Sequence, residues 1–132
     1  MGATKHEVYS KEINELANLF KALSNPARVK ALLILAESEQ KTITTEDFQN
    51  EIELSQSSIS RHLSILSDSG LIATKIISKN KKSCLAYQLN YECIQILQQV
   101  ISKITLLSGN RNTNSFYLKY KNIINAALLF KT

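Results

Sequence analysis

Apolar residues recur at helical spacing in the first third of the chain. In residues 10–23 the apolar positions of the predicted helix are Ile13, Leu16, Ala17, Phe20 and Leu23. We expect this helix to stop before Asn25 and Pro26, because Asn25 is a good N-cap and the only proline fits the first position of a second helix. The second helix is predicted to run to about Ser38, with a buried stripe of Val29, Leu32, Leu33 and Ala36.

A short third helix is predicted over residues 46–52, with Thr44 or Thr45 as its N-cap. The apolar residues of this helix are Phe48 and Ile52. Asp47 lies three residues after Thr44, where a capping box usually has Glu or Gln, and so forms a shortened variant of that motif.

A turn of about three residues leads to a fourth helix, which Ser55 caps and which ends at Gly70. Glycine suits the left-handed position that follows a helix C-terminus. The inward stripe of the fourth helix is Ile59, Leu63 and Leu66. The third and fourth helices, joined by this turn, are typical of a helix-turn-helix.

The hydrophobic period then changes from that of a helix to that of a strand. Residues 72–77 and 84–89 alternate around the polar segment 78–83, which predicts a β-hairpin. Asn90 caps a fifth helix that is expected to reach about Leu107. Its apolar residues form two adjoining stripes: Ile94, Leu97, Ile101 and Ile104 on one, Ile96, Val100 and Leu107 on the other. This arc is wider than one domain needs, so something else must pack against it.

The order of elements predicts a mainly α (α+β) fold, a winged helix-turn-helix with five helices, a two-stranded β-hairpin wing and a C-terminal extra helix. Residues 1–108 are expected to form the DNA-binding and dimerisation domain, and residues 109–132 a linker and helical extension. The linker is Gly109 to Asn114, and Ser115 is the predicted cap of the last helix. We expect the apolar side of that helix to add packing to the core or the dimer.

Charge separates along the chain. The net charge of the 132 residues is +5, but five basic and one acidic side chain give residues 55–90 a net +4, whereas residues 25–54 carry three basic and six acidic side chains. A basic region beside an acidic one is typical of an oriented surface that binds a polyanion. No apolar run approaches the ~20 residues needed to cross a membrane, so no membrane partner is expected.

The two cysteines, Cys84 and Cys93, favour a reducing cytoplasm over a secreted disulfide scaffold. Two interpretations of them stay open, a thiol switch and two small buried apolar residues, and the second is favoured because neither a CxxC pair nor a flanking histidine is present. Catalysis is not indicated: the sequence has no phosphate-binding loop and no combination of nucleophile, base and orienting group.

The outward positions of the fourth helix are rich in serine, a poor residue for helix stability. Short hydroxyl side chains suit a helix that lies close to a groove, since each can donate to and accept from a phosphate or a base edge. Gln56 can pair with adenine, and Arg61 with guanine or a phosphate.

Three motifs resemble the ArsR-type winged helix-turn-helix repressors: Leu19 to Arg28, Leu54 to Leu63, and Gly70 to Ile72. The resemblance covers roughly residues 10–105. It implies a transcriptional regulator, a repressor, that binds a pseudo-palindromic DNA operator as a symmetric homodimer joined through its first and last helices. The dimerisation residues that we assign on this basis are Ile13, Leu16, Phe20, Ile96, Val100 and Leu107.

The resemblance also assigns the DNA-binding residues. The recognition helix would contribute Ser55, Gln56, Ser57, Ser60, Arg61, His62 and Ser64. The wing would contribute Lys79, Lys81 and Lys82 near phosphate or the minor groove. His62 could instead pack against the helices or touch a phosphate. The alternative function is a winged-helix protein-interaction module without operator binding.

The sequence departs from the family at both of its familiar metal sites. Thr44 and Glu46 stand where many members have cysteines, and the fifth helix has one carboxylate, Glu92, and no histidine. We therefore expect no metal and no cofactor, and the effector is not identified. Glu53 stands where such motifs often have glycine, which predicts either a less extreme turn or mild backbone strain.

Overall fold

The computed structural model describes residues 8–40, 42–108 and 118–123. Five helices and three strands follow one another in these residues. The helices are α1 (Lys11–Ala22), α2 (Pro26–Glu37), α3 (Thr45–Glu51), α4 (Gln56–Ser69) and α5 (Tyr91–Ser108). The strands are β1 (Ile43–Thr44), β2 (Ile72–Lys79) and β3 (Lys82–Leu89). Residues 118–123 are helical.

The predicted cap of α2 is confirmed at Asn25, whereas Ser10, the predicted first residue of a helix, is the N-cap of α1. Ser10 Oγ accepts from the Ile13 amide at 3.2 Å at the start of α1, and Asn25 Oδ1 accepts from the Ala27 amide at 2.9 Å at the start of α2. Pro26 takes the first helical position. These bonds satisfy amide groups that have no partner within their own helix, which fixes where each helix begins.

The predicted buried stripe of α2 is only partly right: of its four residues, Leu32 packs half-buried against the core, but the centre of the buried side lies elsewhere. Ala31 and Leu35 are the buried residues of this helix, whereas Val29 is 41% exposed. Helix α2 is apolar around much of its circumference, so spacing alone does not select the inward side. A small residue at position 31 lets α2 approach α4, with which it packs. In α1 the buried residues are likewise Leu19 and Ala22.

Helix α3 begins with the predicted capping box. Thr44 Oγ1 accepts from the Asp47 amide at 3.3 Å, and Asp47 Oδ2 accepts from the Thr44 amide at 3.0 Å. Phe48 is fully buried and its ring meets that of Tyr87 edge-on, with the centroids 6.1 Å apart. The turn at Glu53 is unstrained, because positive φ angles occur among the described non-glycine residues only at Asn80 and Lys81.

The wing is part of a three-stranded antiparallel sheet in the order β1-β3-β2, not an isolated two-stranded hairpin. Ile43 pairs with Tyr87, which ties the start of the helix-turn-helix to the hairpin. The strands also extend further than predicted: Lys79 pairs with Lys82, and only Asn80 and Lys81 form the loop. Both have positive φ, 55° and 64°, as a type I′ turn requires.

Helix α5 begins at the predicted cap and exposes most of its apolar residues. Asn90 Oδ1 accepts from the Cys93 amide at 3.4 Å, and Leu97 is buried in the core. The exposed apolar residues of this helix are Ile96, Ile101, Ile104, Leu106 and Leu107. No helix among the described residues is both long and apolar enough to span a membrane. The predicted linker 109–114 and the cap at Ser115 lie outside the described residues.

Candidate nucleic-acid interface

Helix α4 is held by its inward side and by both of its ends. Ile59, Leu63 and Leu66 are buried in the core, as their spacing predicts. Gly70 ends the helix with φ 92°, and the amides of Gly70 and Leu71 donate to Ser67 and Leu66 carbonyls at 3.0 and 3.1 Å. This pair of bonds is a Schellman motif, which only glycine adopts without strain. Helix α4 is therefore a fixed platform for its outward side chains.

The outward side of α4 presents polar side chains to solvent. Of the predicted contact residues within α4, four are exposed, namely Gln56, Ser57, Arg61 and Ser64, and two, Ser60 and His62, are half-buried. Asp68 is also exposed on this helix, one turn beyond Ser64. Its charge repels a phosphate backbone, so the first three turns of α4 are the part that suits close contact with a polyanion.

The first turn of α4 contains a cluster of hydroxyl groups. Ser55 Oγ accepts from the Ser58 amide at 3.2 Å and lies 3.0 Å from Ser58 Oγ and 3.2 Å from Ser57 Oγ. Ser55 thus caps the helix, and its hydroxyl is already engaged within the protein. Ser57 is better placed to bond a ligand, because its side chain is exposed and a hydroxyl can donate and accept at once.

The wing lysines differ in their surroundings. Lys79 Nζ lies 3.6 Å from Asp47 Oδ1, which links the end of β2, next to the hairpin loop, to α3. Lys81 and Lys82 are exposed at the end of the hairpin and form no ion pair within the described residues. Lys81 and Lys82 are therefore available to a polyanion, whereas Asp47 compensates the charge of Lys79.

The carboxylate of Asp47 is stabilised in its charged form. Burial alone would raise the pKa of Asp47, but hydrogen bonds from Thr44 and the charge of Lys79 outweigh it and leave the pKa below its ordinary value. The Thr44 hydroxyl donates to Asp47 Oδ2 at 2.9 Å in addition to the amide bond of the capping box. One side chain thus joins the α3 cap and the wing.

His62 lies on the flank of α4 and contacts α2. Its Nδ1 is 3.2 Å from Arg28 Nη1, and Arg28 Nε donates to the Ala22 carbonyl oxygen at 2.6 Å. Burial lowers the pKa of His62, and the nearby charges of Arg28 and Arg61 lower it further. The structure shows His62 packed against the helices, one of the roles that the sequence left open, and contact of His62 with DNA stays a prediction. Sequence reasoning did not identify Arg28 as its partner, because the two residues are distant along the chain.

Asn90 connects α4 to α5. Its Nδ2 donates to the Gly70 carbonyl oxygen at 2.9 Å, its amide donates to the Leu71 carbonyl oxygen at 3.0 Å, and its Oδ1 caps α5. Sequence reasoning identified the cap and missed the bond to Gly70. The C-terminus of α4 and the N-terminus of α5 are therefore held together by one side chain.

Most residues assigned to dimerisation are accessible in the single chain. Ile13, Phe20 and Ile96 are exposed to 51%, 39% and 46%, and Leu107 to 78%. Val100 is half-buried, and Leu16 packs against the core. The exposed residues belong to α1 and α5.

The two cysteines are free thiols and half-buried. Burial raises the pKa of the Cys93 thiol, which disfavours the reactive thiolate. Within the described ranges, no three His, Cys, Asp or Glu side chains are grouped so that they could hold a metal ion.

Comparison with known proteins identifies the class of this domain. Residues 25–74 match the family described as bacterial regulatory protein, arsR family. The biofilm growth-associated repressor of Xylella fastidiosa is 33% identical over 69 residues, which are 52% of this chain and 58% of the repressor. The chain thus spans little more than half the length of the curated relative that it matches.

Solved structures share the fold. HlyU from Vibrio cholerae covers 74% of this chain and 99% of its own, with 22% identity and a TM-score of 0.55. The homodimeric winged helix-turn-helix DNA-binding domain from Mycobacterium bovis covers 84% of this chain and 97% of its own, with 20% identity and a TM-score of 0.54. At these identities the similarity shows the winged helix-turn-helix fold alone.

Proposed function

The chain carries an ArsR-type winged helix-turn-helix domain, and from this premise we propose that it is a transcriptional repressor that binds operator DNA as a homodimer. The matched Xylella fastidiosa protein is itself described as a repressor, which supports the proposal. A location in the cytoplasm, where duplex DNA is accessible, and the absence of an enzymatic activity follow from this role.

The outward side of α4 is the observation that carries the proposal. Its inward side is buried, its ends are capped, and Gln56, Ser57, Arg61 and Ser64 extend into solvent from a rigid helix. Such a helix fits the major groove, where glutamine and arginine discriminate bases and serine contacts bases or phosphates. A protein-interaction module would not need groove-sized polar residues beside a basic hairpin.

The wing would add affinity without sequence preference. Lys81 and Lys82 lie exposed at the hairpin tip and are not occupied by a carboxylate of the described residues. Lysines in this position neutralise phosphates and release counterions, which makes binding dependent on salt. Lys79 would contribute less, because Asp47 already compensates its charge.

The homodimer follows from the apolar residues that α1 and α5 leave exposed. Ile13, Phe20 and Ile96 are costly to leave in water, and a second copy of the chain supplies an equally apolar surface. The M. bovis domain of the same fold is homodimeric. Two recognition helices would then lie about one turn of DNA, ~34–36 Å, apart.

Selection of bound sequences from a pool of random duplexes tests this proposal. We expect enrichment of an inverted repeat whose half-sites are ~10 base pairs apart. Arg61→Ala should lose the preference at one position of each half-site. Lys103→Ala, which removes an equal charge from an exposed position on α5, should select the same sequence as the parent. A pool that shows no enrichment would leave the protein-interaction module as the better interpretation.

A further inference from the structure

Arg28 and His62 join the recognition helix α4 to α2. Arg28 lies on α2, and its guanidinium bonds the Ala22 carbonyl at the end of α1 with one nitrogen and the His62 imidazole on α4 with another. A guanidinium group only donates hydrogen bonds. His62 Nδ1 must therefore accept, which requires a neutral ring with its proton on Nε2.

A second proton on the ring would break this bond. The imidazolium ion has no acceptor, and it would lie beside the guanidinium groups of Arg28 on α2 and Arg61 on α4. The neighbouring cavity wall, formed by α2, α3 and the turn before α4, supplies no carboxylate to offset the charge. Its lining beside His62 is Ala27, Ala31, Phe48, Ile52, Leu54, Ile59 and Leu63.

We infer that Arg28 is a positioning residue. Through its bond to the neutral imidazole of His62 it fixes the position of α4 against α2, and protonation of His62 breaks this bond and loosens that position. The inference rests on the proposed function, since it concerns how α4 is presented to DNA. It also removes His62 from the set of base-reading residues, because its ring accepts a bond from inside the protein.

The expected pH dependence follows from the direction in which the pKa of His62 is shifted. Burial, Arg28 and Arg61 lower it below the value of the unfolded chain, about 6.5. The stability that the Arg28–His62 bond contributes is therefore fully present above about pH 6.5 and is lost as the pH falls through the lowered pKa of His62. Operator affinity should also fall in acid, because without the Arg28–His62 bond α4 is held less firmly in the position that suits DNA.

A set of four variants tests the inference. Arg28→Ala removes the donor, His62→Leu removes the acceptor, and the double variant completes a cycle. His62→Asn keeps an acceptor oxygen at about the position of Nδ1 but cannot be protonated. Lys30→Ala, an exposed charge two residues from Arg28, is the control for loss of one positive charge on α2.

Binding is measured on the selected duplex and on its single-base variants at pH 8 and pH 5.5. At pH 8 Arg28→Ala should weaken binding about tenfold by a common factor for every sequence, as expected for loss of one charge-assisted bond. Lys30→Ala should be weakened less. In acid the parent should lose affinity relative to His62→Asn. An Arg28→Ala variant within twofold of the parent, or a parent that gains affinity relative to His62→Asn in acid, would overturn the inference.

Two measurements on the free protein separate this inference from the proposed function. Nitrogen chemical shifts of His62 should show the Nε2-protonated tautomer and a pKa below that of an unfolded peptide. Urea unfolding of the four variants should show that the Arg28 and His62 substitutions are coupled, and should do so even for a variant too unstable to bind DNA well. Additive effects of the two substitutions, together with the Nδ1-protonated tautomer, would refute the Arg28–His62 bond. If the substitutions are coupled but the parent binds no duplex, the proposed function is refuted instead.

Discussion

Lys81 is the residue at which a single substitution should have opposite effects on stability and on DNA binding. It is the second loop residue of the hairpin and adopts a φ of 64°. Lysine has a Cβ atom that collides with the backbone in this region, whereas glycine has none. The side chain itself is exposed at the wing tip, so Lys81→Gly removes strain and charge without removing a packing contact.

The change in stability can be estimated from two terms. A left-handed conformation costs an ordinary residue about 1–2 kcal/mol. Glycine offsets about 0.5–1 kcal/mol of this gain, because it loses more conformational entropy on folding than other residues. The free energy of unfolding should therefore rise by about 0.5–1 kcal/mol, which for a domain of this size raises the melting temperature by roughly 2–4 °C.

Two matched variants isolate the cause. Lys81→Ala removes the charge but keeps a Cβ atom, so its stability should stay near that of the parent. Lys82→Gly removes the neighbouring charge at a paired strand position, where glycine should destabilise by about 0.5–1 kcal/mol. Thermal unfolding of the three variants, monitored by circular dichroism, gives the comparison.

The same variants measure what the wing contributes to binding. Each loss of a phosphate contact should lower the slope of log affinity against log salt by about 0.9, whatever its effect on stability. Lys81→Gly should thus be more stable and bind more weakly than the parent. A Lys81→Gly variant that is less stable than Lys81→Ala would refute the strained turn, and salt slopes equal to that of the parent would refute the phosphate contact.

Other positions give further expectations. Arg61→Ala should cost about 1–3 kcal/mol of binding free energy and relax preference at one base position, as measured on a panel of single-base variants. Asp47→Asn should lower the free energy of unfolding by about 1 kcal/mol at pH 7, because it weakens the α3 cap. Since the pKa of Asp47 is lowered, this difference should persist above about pH 4 and disappear as the pH falls through the lowered pKa. Acid titration of the stability of both proteins would show it. Ile96→Glu should convert the dimer to a monomer in sedimentation, whereas Tyr91→Glu on the same helix should leave the dimer intact, because Tyr91 lies outside the assigned interface. Alkylation of the native protein should label neither cysteine quickly, and a thiol that labels at once with loss of operator binding would restore the thiol switch.

Features set by neighbouring residues could be predicted from the sequence. The caps Asn25, Thr44 and Ser55 and the left-handed Gly70 depend on residues within three positions of the backbone groups that they satisfy. The inward stripe of α4 was also predictable, since its apolar residues occupy one side only. In α2, apolar residues on several sides give no such direction, and the partner helix decides which of them is buried.

Features that depend on distant parts of the chain could not be predicted. Strand β1 has two residues, too few to show alternation, and exists because β3 offers it an edge. The hairpin loop has only two residues, because the strands continue through polar positions. The polar composition of these positions predicts a turn instead. The contact of Arg28 with His62 spans 34 positions, and the bond of Asn90 to Gly70 spans 20.

These two contacts explain why one helix can have both a fixed position and a free surface. Asn90 holds the end of α4 to α5, and Arg28 holds its flank to α2 and to the end of α1. Both bonds reach α4 from inside the protein, so neither uses the outward side that carries Gln56 and Arg61. Since α1 and α5 also carry the exposed apolar residues, a dimer formed through them would fix the distance between its two α4 helices by a short path of hydrogen bonds. A change in that interface therefore has a route to α4 through Asn90 and Arg28, beside the direct packing of α1 against α4.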